Sequence, residues 1–289
     1  MALTFLTGTK LILEDSANNG YEFLVSEVSV NQTYVESSRD VRTLHSKNLI
    51  KDTFIKEEST ASFDFTVNLS DSDTVLMRWL GATESNDEYR LPTIKGSLLA
   101  GDDLMTIYID SGNTIFRITN CVIETASLGL QKNSPLTFQV SGMGQARTEI
   151  VSLPSFSTYT LQGNLSTGSL NVTIDSIPVT NLAAVSFEIT RTLAWLNQNT
   201  VQQGLSNTLY QKTIVTLLDS SMGGSVTKHK SDNTNITTTD KPIVIVYNNL
   251  FTISLDSCNF TDRWEVSDVF KLITDYKLLP TAVDPFIKF

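Results

Sequence analysis

His45 and His229 are the only imidazoles in the chain, and an acid–base or nucleophilic centre working near neutral pH would most simply be built on one of them. Neither stands in a nucleophile context, and no G-x-S-x-G elbow is present. Both fall in polar stretches and are read as solvated residues. Carboxylates cluster at "DSD" (71–73) and "GDD" (101–103). The first precedes an apolar run with helical spacing, so Asp71 or Ser72 is expected to cap a helix. The second reads as a polar turn ahead of a strand rather than a metal site. EF-hand spacing, a zinc ligand set and a P-loop are absent from the sequence, so no catalytic residue, metal or cofactor is expected. Trp195 in "TLAWLNQN" has two readings: an anchor for a sugar ring, or an aromatic that packs into a neighbouring subunit.

The two cysteines carry a different message. "TIFRITNC" (114–121) and "FTISLDSC" (251–258) end in Cys121 and Cys258, 137 residues apart, the only cysteines of the chain. Both are read as small buried side chains with no bond between them. The twin strands point to a duplicated unit, with one β domain over 1–150 and a second, divergent one over 151–289.

The elements that would hold these residues are mostly strands. "SFDFTVNL" puts Phe63, Phe65, Val67 and Leu69 on one face and Ser62, Asp64, Thr66 and Asn68 on the other; "VSFEITR" does the same with Val185, Phe187, Ile189 and Arg191 against Ser186, Glu188 and Thr190. Such alternation describes half-buried antiparallel strands. One short amphipathic helix is expected at Val75, Leu76, Trp79 and Leu80, stopped by Gly81. The corresponding place in the second half, "DSSMGGSVTKHKSD", has two glycines and no helical face. Each half also carries a long polar insertion, about 30 residues after the second strand in the first half and the shorter "TLAWLNQNTVQQGLSNTLYQ" in the second. Insertions of that length inside a compact β domain are unusual, and an adjacent subunit is the simplest thing for them to lie against.

Charge bounds the partners. The net charge is −10, with 20 acids against 12 bases in residues 1–150 and 11 against 9 in 151–289. Tight nucleic-acid binding needs clustered Lys and Arg, which the chain lacks. No apolar run is long enough to cross a bilayer as a helix, and the first residues lack the features of a secretion signal, so a cytoplasm-like site of synthesis and no membrane partner are expected.

The order of these elements, a β barrel or sandwich with one flanking helix, a long arm between early strands and a closing hairpin running into "SPLTFQVSGMG", resembles the tail tube proteins (major tail proteins) of long-tailed bacteriophages. The resemblance covers residues 1 to about 145 best and 155–289 through the repeat. It implies two tandem tail-tube-like domains in a structural, non-enzymatic virion protein, assembled in the host cytoplasm into stacked rings whose inner wall is a continuous β-barrel passing DNA into the host. The duplicated form implies a trimer with pseudo-sixfold symmetry, a hexamer being the alternative. Glu27, Asp64 and Glu188 would line the lumen and repel phosphate without binding DNA specifically. Tyr34, Arg39, Arg42, His45, Phe54, Trp195 and Leu196 would form the arms between subunits or rings. Other tail proteins, namely a tape measure, a baseplate or tip, a terminator and a sheath if the tail contracts, are the implied partners. The competing readings are a ring at the tube's end, such as a distal tail or terminator protein, and a carbohydrate- or receptor-binding β module.

Overall fold

The computed structural model describes residues 2–5, 9–41, 51–70, 73–85, 88–91, 97–131, 134–163, 168–196, 214–229, 239–247, 251–266, 270–280 and 285–288. The first half contains β1 (Ala2–Phe5), β2 (Lys10–Glu14), β3 (Asn19–Val41), β4 (Lys51–Asn68), α1 (Val75–Trp79), β5 (Thr83–Ser85), β6 (Glu88–Arg90), β7 (Ser97–Leu98), β8 (Met105–Asp110), β9 (Ile115–Gln131), β10 (Thr137–Gly144) and β11 (Arg147–Ile150). The second contains β12 (Thr158–Leu161), β13 (Leu170–Ile174), β14 (Ile177–Pro178), β15 (Leu182–Leu196), β16 (Ile214–His229), β17 (Lys241–Tyr247), β18 (Phe251–Val266), β19 (Phe270–Leu278) and β20 (Phe286–Lys288). The chain is mainly β, as the alternating patterns require.

In the first half the pairings β3–β4, β4–β10, β10–β9, β9–β8, β8–β2 and β2–β3 return to their starting strand and close a six-stranded barrel. A closed sheet has no free edge within the ring. Its inward positions, among them Leu11, Leu13, Phe23, Val28, Val30, Phe63, Phe65, Phe138 and Val140, are all buried. Helix α1 lies against this core. The Trp79 ring stacks 5.6 Å from Phe63 and 6.3 Å from Phe65, and its indole N–H donates to the Cys121 carbonyl at 2.8 Å, so the one polar atom of a fully buried side chain is satisfied. The N-cap is Thr74, without a side-chain capping bond, rather than Asp71 or Ser72, which lie outside the described residues. The expected stop is present: Gly81 takes φ 76° and returns its N–H to the Arg78 carbonyl at 2.8 Å, the left-handed position glycine occupies after a helix.

The second half repeats the order of pairing. β15–β16, β16–β19, β19–β18, β18–β17 and β17–β13 follow one another, but no strand pairing joins β13 back to β15 among the described residues, so this sheet stays open at one seam. β9 pairs antiparallel with β15, Gln131 facing Ala184 through Thr125 facing Thr190. The two halves therefore share one run of strands: β3–β4–β10–β9–β15–β16–β19–β18. Further ties cross the same junction. β7 pairs with β16, β20 pairs with both β18 and β6, and β12, past residue 150, runs parallel to β3 of the first half. Cys121 and Cys258 are both buried and free; burial raises both thiol pKa values, that of Cys258 to about 12.

One expectation is corrected. The polar insertions are not loops throughout: β3 and β4 continue as a hairpin out to Val41 facing Lys51, and β15 and β16 out to Leu196 facing Ile214. The expected lack of a helical face in "DSSMGGSVTKHKSD" carries through: its residues up to His229 belong to β16, paired with β15 on one side and β19 on the other. The glycines are there for space. A Cβ on Gly224 would run into the Ser186 carbonyl and come within 2.7 Å of the Tyr276 hydroxyl, which itself donates to that carbonyl at 2.7 Å.

Candidate functional site

Side chains alternate across a strand, so each shared strand offers one face to the core and one to the other side. On the non-core side the registers connect one row of residues across eight strands: Glu27, Thr66, Gln139, Ser127, Glu188, Gly223, Lys277 and Asn259. A second row runs beside it through Ser29, Asp64, Ser141, Thr125, Thr190 and Ser221. All three expected channel carboxylates thus share one polar face. Asp64 and Glu188 line a common shallow depression with Thr125, Ser127, Gln139 and Ser141, while Glu27 lies further along, opposite Thr66.

This face is polar and carries charges of both signs. Hydroxyls on it pair with hydroxyls across strands, Thr125 with Ser141 and Ser186 with Ser225, the latter at 2.9 Å. Its bases are few and partly neutralised: Arg263 is held by Asp275 at 2.8 Å. It is not uniformly acidic, because Lys277 shares the row of Glu27 and Glu188. No group of His, Cys, Asp and Glu among the described residues is arranged to hold a metal ion.

The other side of the sheet takes residues that sequence patterning assigned to the core, including Arg191, which is 5% exposed and reaches the Ile123 carbonyl at 3.4 Å. Burial lowers its pKa, and the nearby Asp103 charge opposes that shift. Trp195 is not a loop residue. It lies in β15 opposite Val215 and packs, half-buried, on a small apolar cluster of Leu99, Val122, Val215 and Leu217. Leu196 is the last paired residue of β15, opposite Ile214. Tyr34, Arg39 and Phe54 lie in the extended β3–β4 hairpin, opposite Ser59, Thr53 and Ser38. Arg42 and His45 are outside the described residues, and His229 is exposed at the end of β16. A cavity of about 690 Å³ between β16, β18 and β19 is lined by polar residues such as Asp219, Ser221, Thr261 and Asp275 together with Met222 and Leu278, and Tyr276 is the aromatic among its described lining residues.

A family model described as the Bacteriophage Baseplate Tube Protein Family matches residues 1–289. The chain belongs to the bacteriophage baseplate tube protein family. It is therefore a tail tube-related component of a phage virion, and the family context implies assembly with other virion proteins. No curated protein matches the chain.

Proposed function

We propose that three copies of this chain close into a ring that forms a segment of the phage tube, with the eight shared strands of each chain building the wall and the polar face lining the channel. The observation that carries this reading is the register. Anchoring the two halves on Cys121 and Cys258 and following the pairings outward makes Val28 equivalent to Val185 and Glu27 to Ala184. Following the row of paired residues from Glu27 across four strand junctions arrives instead at Glu188, four residues further along β15. The stagger is one residue per strand, the ratio at which barrel strands tilt by about 36°. Three chains of eight shared strands give 24 strands. At that tilt and a strand spacing of about 4.8 Å they enclose about 46 Å between opposing backbones, wide enough for a DNA duplex after two layers of side chains. In this reading 1–150 and 151–289 are two tube units of one duplicated chain, the second opened at the β13–β15 seam.

The family name favours a place in the baseplate segment of the tube over the full tail length. The β3–β4 hairpin, which carries Tyr34, Arg39 and Phe54, runs on past the strands that close the barrel and is suited to reach an adjacent ring, while Trp195 and Leu196 end the paired part of β15. Electron microscopy of the purified protein tests the reading: hollow rings with threefold symmetry and a pseudo-sixfold outline are expected. True sixfold rings would remove the second half from the wall, and solid or open particles would remove the tube. Immunogold labelling of virions separates the two placements, since label confined to the tail end supports the baseplate segment and label along the tail supports the whole tube.

A further inference from the structure

Ring closure needs two complementary edges, and one of them is occupied in the single chain. β1 pairs antiparallel along the outer edge of β3, with Ala2 opposite Asn31, Leu3 opposite Val30, Thr4 opposite Ser29 and Phe5 opposite Val28. At the other end of the shared sheet, β18 pairs with β19 through Val266, while β17 and β20 pair only with the part of β18 up to Cys258. Beyond that point the far edge of β18 has no pairing strand among the described residues. Apolar side chains lie exposed beside it: Trp264 is 44% exposed, Val266 68% and Phe270 59%.

The junction inside the chain shows what such an edge accepts. There Thr125–Gln131 of β9 pair with Ala184–Thr190 of β15, and Leu128 and Leu130 are left 1% and 0% exposed. Anchored on the cysteines and allowing for the β-bulge in β9, Trp264 and Val266 occupy the places of Leu128 and Leu130. The same transfer sets Thr261–Val266 of β18 against Val28–Thr33 of β3, antiparallel, with Arg263 opposite Asn31 and Glu265 opposite Ser29. The span that β1 covers, Val28–Asn31, falls wholly inside that footprint and runs in the required direction.

We propose that β1 is a stand-in strand: it holds the ring-closing edge of β3 in the free chain and is displaced when the β18 edge of a second copy takes its place. This rests on the ring reading above. The partner is another copy of this chain because the edge left over at β18 holds, position for position, the place of the β9 edge that the chain already joins to its own β15. The exchange trades one set of main-chain hydrogen bonds for another, so it protects β3 from indiscriminate edge pairing without blocking assembly.

Two disulfide variants test it. In Thr4→Cys/Ser29→Cys the new thiols stand opposite one another across β1 and β3, within the span a disulfide bridges, while the native cysteines are buried. The oxidised protein should sediment as single chains, and reduction should restore rings. In Ser29→Cys/Glu265→Cys the bridge can form only between copies, and oxidised rings should give covalent species ending at three chain masses. An oxidised lock that assembles like its reduced form would overturn displacement of β1. Rings of Ser29→Cys/Glu265→Cys that stay uncrosslinked would overturn the edge assignment while leaving the ring. Absence of rings from the unmodified protein and from every reduced variant at all concentrations would defeat the ring reading itself and the proposal with it.

Discussion

Trp264→Ala isolates the contribution of one side chain to ring closure. The indole is 44% exposed in the single chain, whereas Leu128, its counterpart at the internal junction, is 1% exposed. If closure covers the exposed part, about 110 Å² of an aromatic side chain leaves water, which at about 25 cal/mol per Å² contributes about 3 kcal/mol, or roughly 100-fold per interface. A closed ring of three has three such joints, so the association constant for the whole ring falls about a million-fold and the concentration at half-assembly rises about 1,000-fold. Sedimentation equilibrium over a concentration series reads that midpoint directly. Thermal melting of the dissociated chain supplies the control, because the part of Trp264 already covered in the monomer contributes to folding and not to assembly. A half-assembly concentration within a few-fold of the unmodified protein, for a variant that is folded, would refute the transfer of the internal junction to the outer edge.

Other perturbations bear on the fold and the bore. Trp79→Ala removes the plug that stacks on Phe63 and Phe65 and strands the buried Cys121 carbonyl; a loss of about 3–5 kcal/mol in denaturant unfolding is expected. Gly224→Ala forces a Cβ against the Ser186 carbonyl and should cost about 1–3 kcal/mol by the same measurement. Asp15 should make folding sensitive to acid: burial works against its charge, but hydrogen bonds from Asn19, Tyr21 and Ala17 outweigh it and hold the carboxyl below its ordinary value. Since a depressed folded pKa gives stability that is present above the unfolded value of about 4 and lost as pH falls further, the unmodified protein should weaken below about pH 4, and Asp15→Asn should show a shallower slope there in pH-dependent melts. Replacing Glu27, Asp64 and Glu188 with Lys should leave rings intact but slow genome release from virions carrying the variant, through attraction to phosphate; unchanged release kinetics would take those residues out of the bore.

What could be read locally was the barrel wall. The faces of "SFDFTVNL" and "VSFEITR" carry through to β4 and β15 residue by residue, because a strand with one side on a core must alternate. The twin cysteines marked β9 and β18 for the same reason. The outer part of the β3–β4 hairpin was not legible as strand: past Ala61 β4 pairs with β3 alone, so no core imposes an apolar alternation there. Gly223 and Gly224 carry a long-range message that their own stretch does not show. Gly224 answers a close approach by Ser186 and Tyr276, one contact 38 residues away and the other 52. The pairing of β9 with β15, on which the proposed wall depends, joins strands more than 50 residues apart and has no local signature. The non-core row, by contrast, needed only parity: once β4 and β15 were strands, Asp64 and Glu188 had to share the side away from Phe65 and Phe187.

The one-residue stagger has a consequence for what a moving polyanion would meet inside the proposed ring. In a tilted barrel, symmetry-equivalent residues share a height, so Glu188 is level not with Glu27 but with Asn31, four residues further along. At about 3.3 Å per residue and a tilt of about 36°, the two carboxylates stand about 11 Å apart along the axis. Each therefore forms its own circlet of three charges, and the separation exceeds the screening length of about 8 Å at physiological salt. A phosphate backbone sliding past would feel a series of shallow, separate repulsions in place of a single steep barrier, and its path along the axis would stay nearly level.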